Sequence, residues 1–107
     1  MIGKKEIRLI FRTFVFKRDK YTCQGCGKTL PEEDIDAHHI KDRSDMPHGG
    51  YVPSNGITLC KAVCHLKAEK FHITGGKEWE EGFHPNDLFK KIGSSEEQAI
   101  EDAIKIK

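Results

Sequence analysis

The stretch Asp36-Ala37-His38-His39-Ile40 sets two adjacent histidines between two cysteine pairs, Cys23/Cys26 before them and Cys60/Cys64 after. Asn55 lies between the histidines and the second pair, and His65 follows that pair directly. The cysteines decide the architecture. Tyr21-Thr22-Cys23-Gln24-Gly25-Cys26-Gly27 is a knuckle, with two thiolates two residues apart and glycines that permit the tight turn a metal requires. Leu59-Cys60-Lys61-Ala62-Val63-Cys64-His65 is its mate. A Cys-x2-Cys followed at a distance by Cys-x3-Cys has the spacing of tetrahedral zinc, so Cys23, Cys26, Cys60 and Cys64 are expected to hold one structural Zn2+. A redox reading of Cys23-x2-Cys26 would leave the second pair unexplained.

Size agrees with a metal staple. A chain of 107 residues is read as a single domain, near the length where one hydrophobic core gives marginal stability. With 36% hydrophobic and 33% charged residues, no apolar run approaches the ~20 residues that span a bilayer. No membrane partner is therefore expected. The N-terminal residues show neither an apolar signal core nor a cleavage site, so the expected location is cytoplasmic, where paired cysteines are metal thiolates rather than disulfides. Charge is unevenly spread although the net value is +1. Residues 1–22 form a basic lead-in with seven Lys and Arg against two acidic residues, residues 23–75 are nearly balanced, and residues 76–107 are acidic.

Local patterns order the chain. Ile7, Ile10, Phe11, Phe14 and Val15 recur at helical spacing, predicting a helix over Glu6–Arg18 with that stripe on the core. Ile35–Ile40 reads as a strand, Arg43–Ser54 as a long loop, Asn55-Gly56 as a turn, and Ile57-Thr58-Leu59 as a second strand paired with the first. A helix from about Ala62 to His72 ends at Gly75-Gly76. Further on, Pro85 opens a helix that Gly93 stops, and Ser94 with Glu97 has the spacing of a capping box for a last helix.

Taken together, Phe14 through Gly27, then Asp36-Ala37-His38-His39-Ile40, Asn55 through Cys60, and Cys64-His65 resemble the HNH nucleases of the small bacteriophage type. The resemblance covers roughly residues 8–72. It implies an α+β fold with a ββα-metal (His-Me finger) core, zinc-bound four-cysteine knuckles, an N-terminal helix and C-terminal helices. The core would span 23–75 and a helical extension 76–107. The implied activity is metal-dependent hydrolysis of DNA phosphodiesters, by nicking or double-strand cleavage, to 5′-phosphate and 3′-hydroxyl ends. His39 would be the general base and Asn55 the central Asn. His38 and His65 would hold one catalytic divalent cation, Mg2+, Mn2+, Ni2+ or Zn2+.

The residue types suit those roles. A neutral imidazole titrates near working pH and can accept a proton from attacking water. An amide can fix a loop or orient the base. Adjacent residues of a regular strand point to opposite faces, so the convergence of His38 and His39 requires the strand to end or bulge. Candidate DNA contacts are Arg12, Lys17 and Arg18 on the first helix, with Lys67 and Lys70 on the helix after the second knuckle. His48 and His72 are read as exposed histidines, and Asp36 as a strand residue supporting a ligand. Two other readings compete: a non-catalytic zinc-knuckle module that docks on DNA, and an accessory subunit of a phage packaging motor (terminase). Oligomeric state is not fixed by the sequence.

Overall fold

The computed structural model describes residues 3–106. Among them are helix α1 (Lys4–Arg18), strands β1 (Ile35–His39) and β2 (Gly56–Cys60), and helices α2 (Cys64–Ile73), α3 (Pro85–Lys91) and α4 (Glu96–Ile104). The class is α+β, and β1–β2–α2 is the expected ββα order. Among the described residues no helix is long and apolar enough to cross a membrane.

The two strands pair antiparallel without a bulge, from Ile35 opposite Cys60 to His39 opposite Gly56. Every β2 residue is buried. The two-residue alternation of a strand therefore sorts them between two layers. Ile57 and Leu59 join a core with Cys23, Ala68, Leu88, Phe89, Ala99 and Ala103, which brings α2, α3 and α4 onto one face. Gly56 and Thr58 turn to the other face, where Phe11, Val15, Phe16 and Ile35 form a second cluster under α1. Gly56 is needed for that approach: a Cβ there would lie 2.5 Å from Val15 Cγ2 and 2.7 Å from the Phe11 ring.

The buried side of α1 is rotated from the expected stripe. Phe11, Val15 and Phe16 are buried, whereas Ile10 and Phe14 are exposed. Phe16 displaces Phe14 because the chain turns back at once, through Lys20 and Tyr21 in left-handed conformations, and sets Tyr21 against the Phe16 ring. Asp19 secures this corner by accepting from Thr58 N at 2.9 Å while receiving two hydrogen bonds from Arg18.

The stretch between the strands is more ordered than a long loop. It makes three short 3-10 turns, Arg43–Asp45, Pro47–Gly50 and Pro53–Asn55, so that Gly56 opens β2 instead of completing a turn. Helix α4 packs over the second and third of these turns. Ser54 Oγ donates to Asp102 at 2.6 Å, and Lys41 Nζ meets Glu96 at 2.7 Å. The capping residue is Ser95, whose Oγ accepts from Gln98 N, and not Ser94. Ser94 Oγ is engaged elsewhere, donating to the Ser54 carbonyl at 2.9 Å. The C-terminal residues thus brace the loop that leads into β2.

Candidate metal centre and catalytic cleft

The two knuckles meet as their spacing requires. Cys23, Cys26, Cys60 and Cys64 bring their sulfurs within 4.8 Å of one another, and none is in a disulfide. Within each knuckle a backbone amide points at the first sulfur: Cys26 N donates to Cys23 Sγ at 3.4 Å and Cys64 N to Cys60 Sγ at 3.3 Å. Such bonds favour the thiolate form. Burial alone would raise the Cys60 thiol, but the amides of Cys64 and Val63 outweigh it and bring the group to about 7. Gly25 leaves room for the arrangement, since a Cβ there would come 2.8 Å from Cys64 Sγ. Four clustered sulfurs are a donor set that fits zinc.

Immediately after the second knuckle, α2 presents His65 and, one turn later, Glu69. His38 reaches them from β1. One donor atom from each of His38, His65 and Glu69 lies within 4.8 Å of the others. His65 Nδ1 is 2.8 Å from Asp36 Oδ2, and its Nε2 is 3.2 Å from Glu69 Oε1. Glu69 first and Asp36 after it hold the His65 imidazole above its ordinary range despite partial burial. The His38 and His65 rings in turn hold the Glu69 carboxyl well below the usual carboxylate range, so it is ionised at neutral pH.

His38 is the most telling member. It is 2% exposed, and burial lowers its pKa, favouring the neutral ring. Its Nδ1 lies 3.2 Å from Glu69 Oε1, and its buried Nε2 makes no hydrogen bond. Buried polar atoms without partners are uncommon and cost about 1–3 kcal/mol each, so the pocket is built for a group that takes a lone pair. A divalent cation fits: two imidazoles and a carboxylate are a familiar donor set for such ions. His72 stacks on His38 with ring centroids 5.3 Å apart and donates from Nε2 to the His39 carbonyl at 3.1 Å. It is half-buried against the ion pocket, not a plain exposed histidine.

His39 points to the opposite face, as strand alternation demands. Its ring stacks on Phe11 at 4.5 Å and meets the edge of Tyr51 at 4.7 Å. Burial, with the nearby Arg43 guanidinium adding to it, lowers His39 to about 4. The ring is neutral at pH 7, and its buried Nε2 has no partner. The two faces nonetheless communicate. A cavity of about 270 Å³ lined by His38, His65, Glu69 and His72 and one of about 320 Å³ lined by Phe11, Arg12 and Tyr51 share Asp36, Ala37, His39 and Arg43. In a two-stranded sheet the outer edge of β1 has no further strand, so both cavities border it.

Asn55 is wholly buried and does not touch His39. Its Oδ1 accepts from Lys41 N at 2.9 Å, and its Nδ2 donates to the carbonyls of Lys41 and Gly50 at 3.1 and 3.2 Å. Its backbone carbonyl accepts from Ile40 N at 2.8 Å. The amide thus clamps the chain just after the histidines onto the start of β2.

The basic residues singled out from the sequence are spread over several surfaces. Arg18 is drawn into the fold, bonding Asp19 and the carbonyls of Pro53 and Gly56. Arg12 lies over the Phe16 ring and lines the His39 cavity. Lys67 sits over Phe83, Lys70 pairs with Glu80 at 3.4 Å, and Lys17 is exposed on α1. Sequence reasoning did not single out Glu69, Arg43 or Tyr51. For Glu69 a signal was present, four residues beyond His65 and hence on the same helix face.

Residues 23–71 match the family model described as HNH endonuclease. This segment is similar to the HNH endonuclease family. The match begins at the first cysteine of the first knuckle and ends on α2 beyond Glu69, so it encloses both metal-ligand clusters, His39 and Asn55. Neither the curated proteins nor the solved structures yield a match to the chain. The similarity is to a family of nuclease type, whose members imply DNA as the substrate class.

Proposed function

We propose that the chain is a metal-dependent HNH endonuclease that hydrolyses DNA phosphodiester bonds to 5′-phosphate and 3′-hydroxyl ends, with the whole of residues 1–107 acting as one unit. The observation that carries this reading is the buried His38 ring, its Nε2 without a partner, in a pocket completed by His65 and Glu69 and one strand position from the half-buried His39.

His38, His65 and Glu69 would hold the activating ion, and Cys23, Cys26, Cys60 and Cys64 the structural zinc. The activating ion would supply electrostatic stabilisation of the charge that grows on phosphate oxygens in the transition state. Two imidazoles in the donor set favour Ni2+ or Zn2+, while the carboxylate keeps Mn2+ and Mg2+ within range. Asp36, on the far side of the His65 ring from Glu69, holds that ring in place. His39, neutral at pH 7, accepts a proton from the water that attacks phosphorus as the bond to the 3′ oxygen breaks. The Phe11 and Tyr51 rings fix its orientation. Asn55 acts through the backbone, holding Lys41 and Gly50 so that β1 ends at His39.

A plasmid-nicking assay with added Ni2+, Mn2+, Mg2+ or Zn2+ tests the reading, with the zinc left in place. Wild type should nick, and His39→Ala should slow nicking by about 10²–10⁴-fold, the usual worth of a general base. Equal cutting by His39→Ala, or no cutting with any ion, would overturn it. If the chain serves a packaging motor, cutting would appear only when that partner is added.

A further inference from the structure

A third cavity, of about 670 Å³, opens beside the His39 cleft. Lys4, Arg8, Arg43, Ser44, His48 and Tyr51 supply its polar lining, and Asp42 is the acidic residue among them. Arg8 and Tyr51 also line the His39 cavity, and Arg43 lines all three cavities. The ion pocket, the His39 cleft and this basic recess thus adjoin one another at Arg43.

The cations of this recess outnumber Asp42, the one acidic residue in its lining. Among the described residues, none of Lys4, Arg8 and Arg43 pairs with a carboxylate. Lys4 and Arg8 stand one helical turn apart at the start of α1 and share one side of it. Arg43 is oriented from the other wall: its Nη1 donates to Tyr51 Oη at 3.0 Å, and the Tyr51 ring is set edge-on to both Phe11 and His39. Burial would raise the Tyr51 phenol, but the Arg43 and Arg8 guanidiniums outweigh it and lower it. Two guanidiniums and an ammonium facing one recess repel each other unless an anion lies between them. Guanidinium forks match the oxygens of a phosphate.

We propose that this recess binds the phosphate next to the scissile one on the same DNA strand, gripped by Arg8 and Arg43 with Lys4 behind them. The inference rests on the nuclease reading and extends it: the strand would cross β1 at His39 and leave over the start of α1. Contacts of this kind grip the backbone and position the strand without reading its sequence.

The test is DNA binding by fluorescence anisotropy with zinc retained and no activating ion added, over a range of salt concentrations and on short duplexes of two unrelated sequences. Arg8 is exposed and its guanidinium faces Tyr51, whose hydroxyl keeps its bond from Arg43 Nη1 in an Arg8→Gln variant, so the substitution should leave the structure intact. Lys90→Gln, an equal loss of charge on α3, is the control. Arg8→Gln should weaken binding on both sequences and lower the slope of log affinity against log salt by about one, as removal of one phosphate contact does, whereas Lys90→Gln should match wild type. An Arg8→Gln slope equal to that of wild type, a loss equal to that of Lys90→Gln, or no binding by wild type would overturn the inference. Failure of the nuclease reading shows separately, as a wild type that binds but cuts nothing when ions are added.

Discussion

His38 Nδ1 and Glu69 Oε1 stand 3.2 Å apart in a pocket where the buried His38 Nε2 has no hydrogen-bond partner. The strand supplies a buried imidazole and the helix supplies the charge. Removing that charge while keeping the shape of the side chain should therefore weaken the ion far more than the fold. Glu69→Gln is expected to lower affinity for Ni2+ or Mn2+ by at least about tenfold, the lower end of what altering the support of a metal site costs, with little change in thermal midpoint. Titration of the ion by calorimetry measures it. Unchanged affinity would remove Glu69 from the ligand set.

His39 makes a pH-dependent contribution whose sign follows from its surroundings. Its folded-state value is lowered from 6.5 to about 4, chiefly by burial. Above pH 6.5 it is neutral in both states and contributes no pH dependence. As pH falls from about 6.5 to about 4 the unfolded chain takes up a proton that the folded chain refuses, so stability is lost across that window, by up to about 3 kcal/mol. His38 acts in the same direction and His65 in the opposite one, but both remain in a His39→Gln variant. The thermal midpoint of wild type should therefore fall relative to that of His39→Gln between pH 6.5 and pH 4. Parallel curves would show that the ring is not buried as described.

Asn55→Ala tests the clamp. It strands Lys41 N and the carbonyls of Lys41 and Gly50 in a buried setting. The expected loss is about 2–4 kcal/mol in urea denaturation, because several backbone groups lose their partner at once. A loss below about 1 kcal/mol would mean that water replaces the amide, as at an exposed site.

Much of this was readable in the residues. Cysteine spacing and the order of histidines, Asn55 and His65 carried the ββα arrangement, because metal ligands must converge whatever lies between them. The expected convergence of His38 and His39 on one cleft, with Asn55 beside His39, is not what forms: strand alternation holds the two rings on opposite faces, and the Asn55 amide bonds Lys41 and Gly50 instead. No bulge forms, and the cavities on the two faces share Asp36, Ala37, His39 and Arg43 in their linings. Other features depend on tertiary contacts that spacing does not encode. Phe14 and Phe16 are equally apolar, and only the reversal at Lys20 and Tyr21 decides which is buried. Ser94 and Ser95 are equally good caps until Ser54 takes the first. Arg18 looks like a free surface cation until Asp19 and two carbonyls of the Pro53–Gly56 stretch surround it. Glu69 was hidden because one acidic residue on an exposed helix is ordinary, and it acquires meaning only once His38 arrives from β1.

The most direct test of two separate metal centres is metal content measured alongside plasmid nicking, before and after mild chelation. Four buried or clustered sulfurs should hold one zinc per chain tightly, whereas the His38, His65 and Glu69 pocket lines an open cavity and should exchange its ion. The account predicts that mild chelation abolishes nicking while one zinc per chain remains, and that added Ni2+ or Mn2+ restores it. Nicking that survives removal of every exchangeable ion, or zinc that leaves in step with the activity, would contradict it.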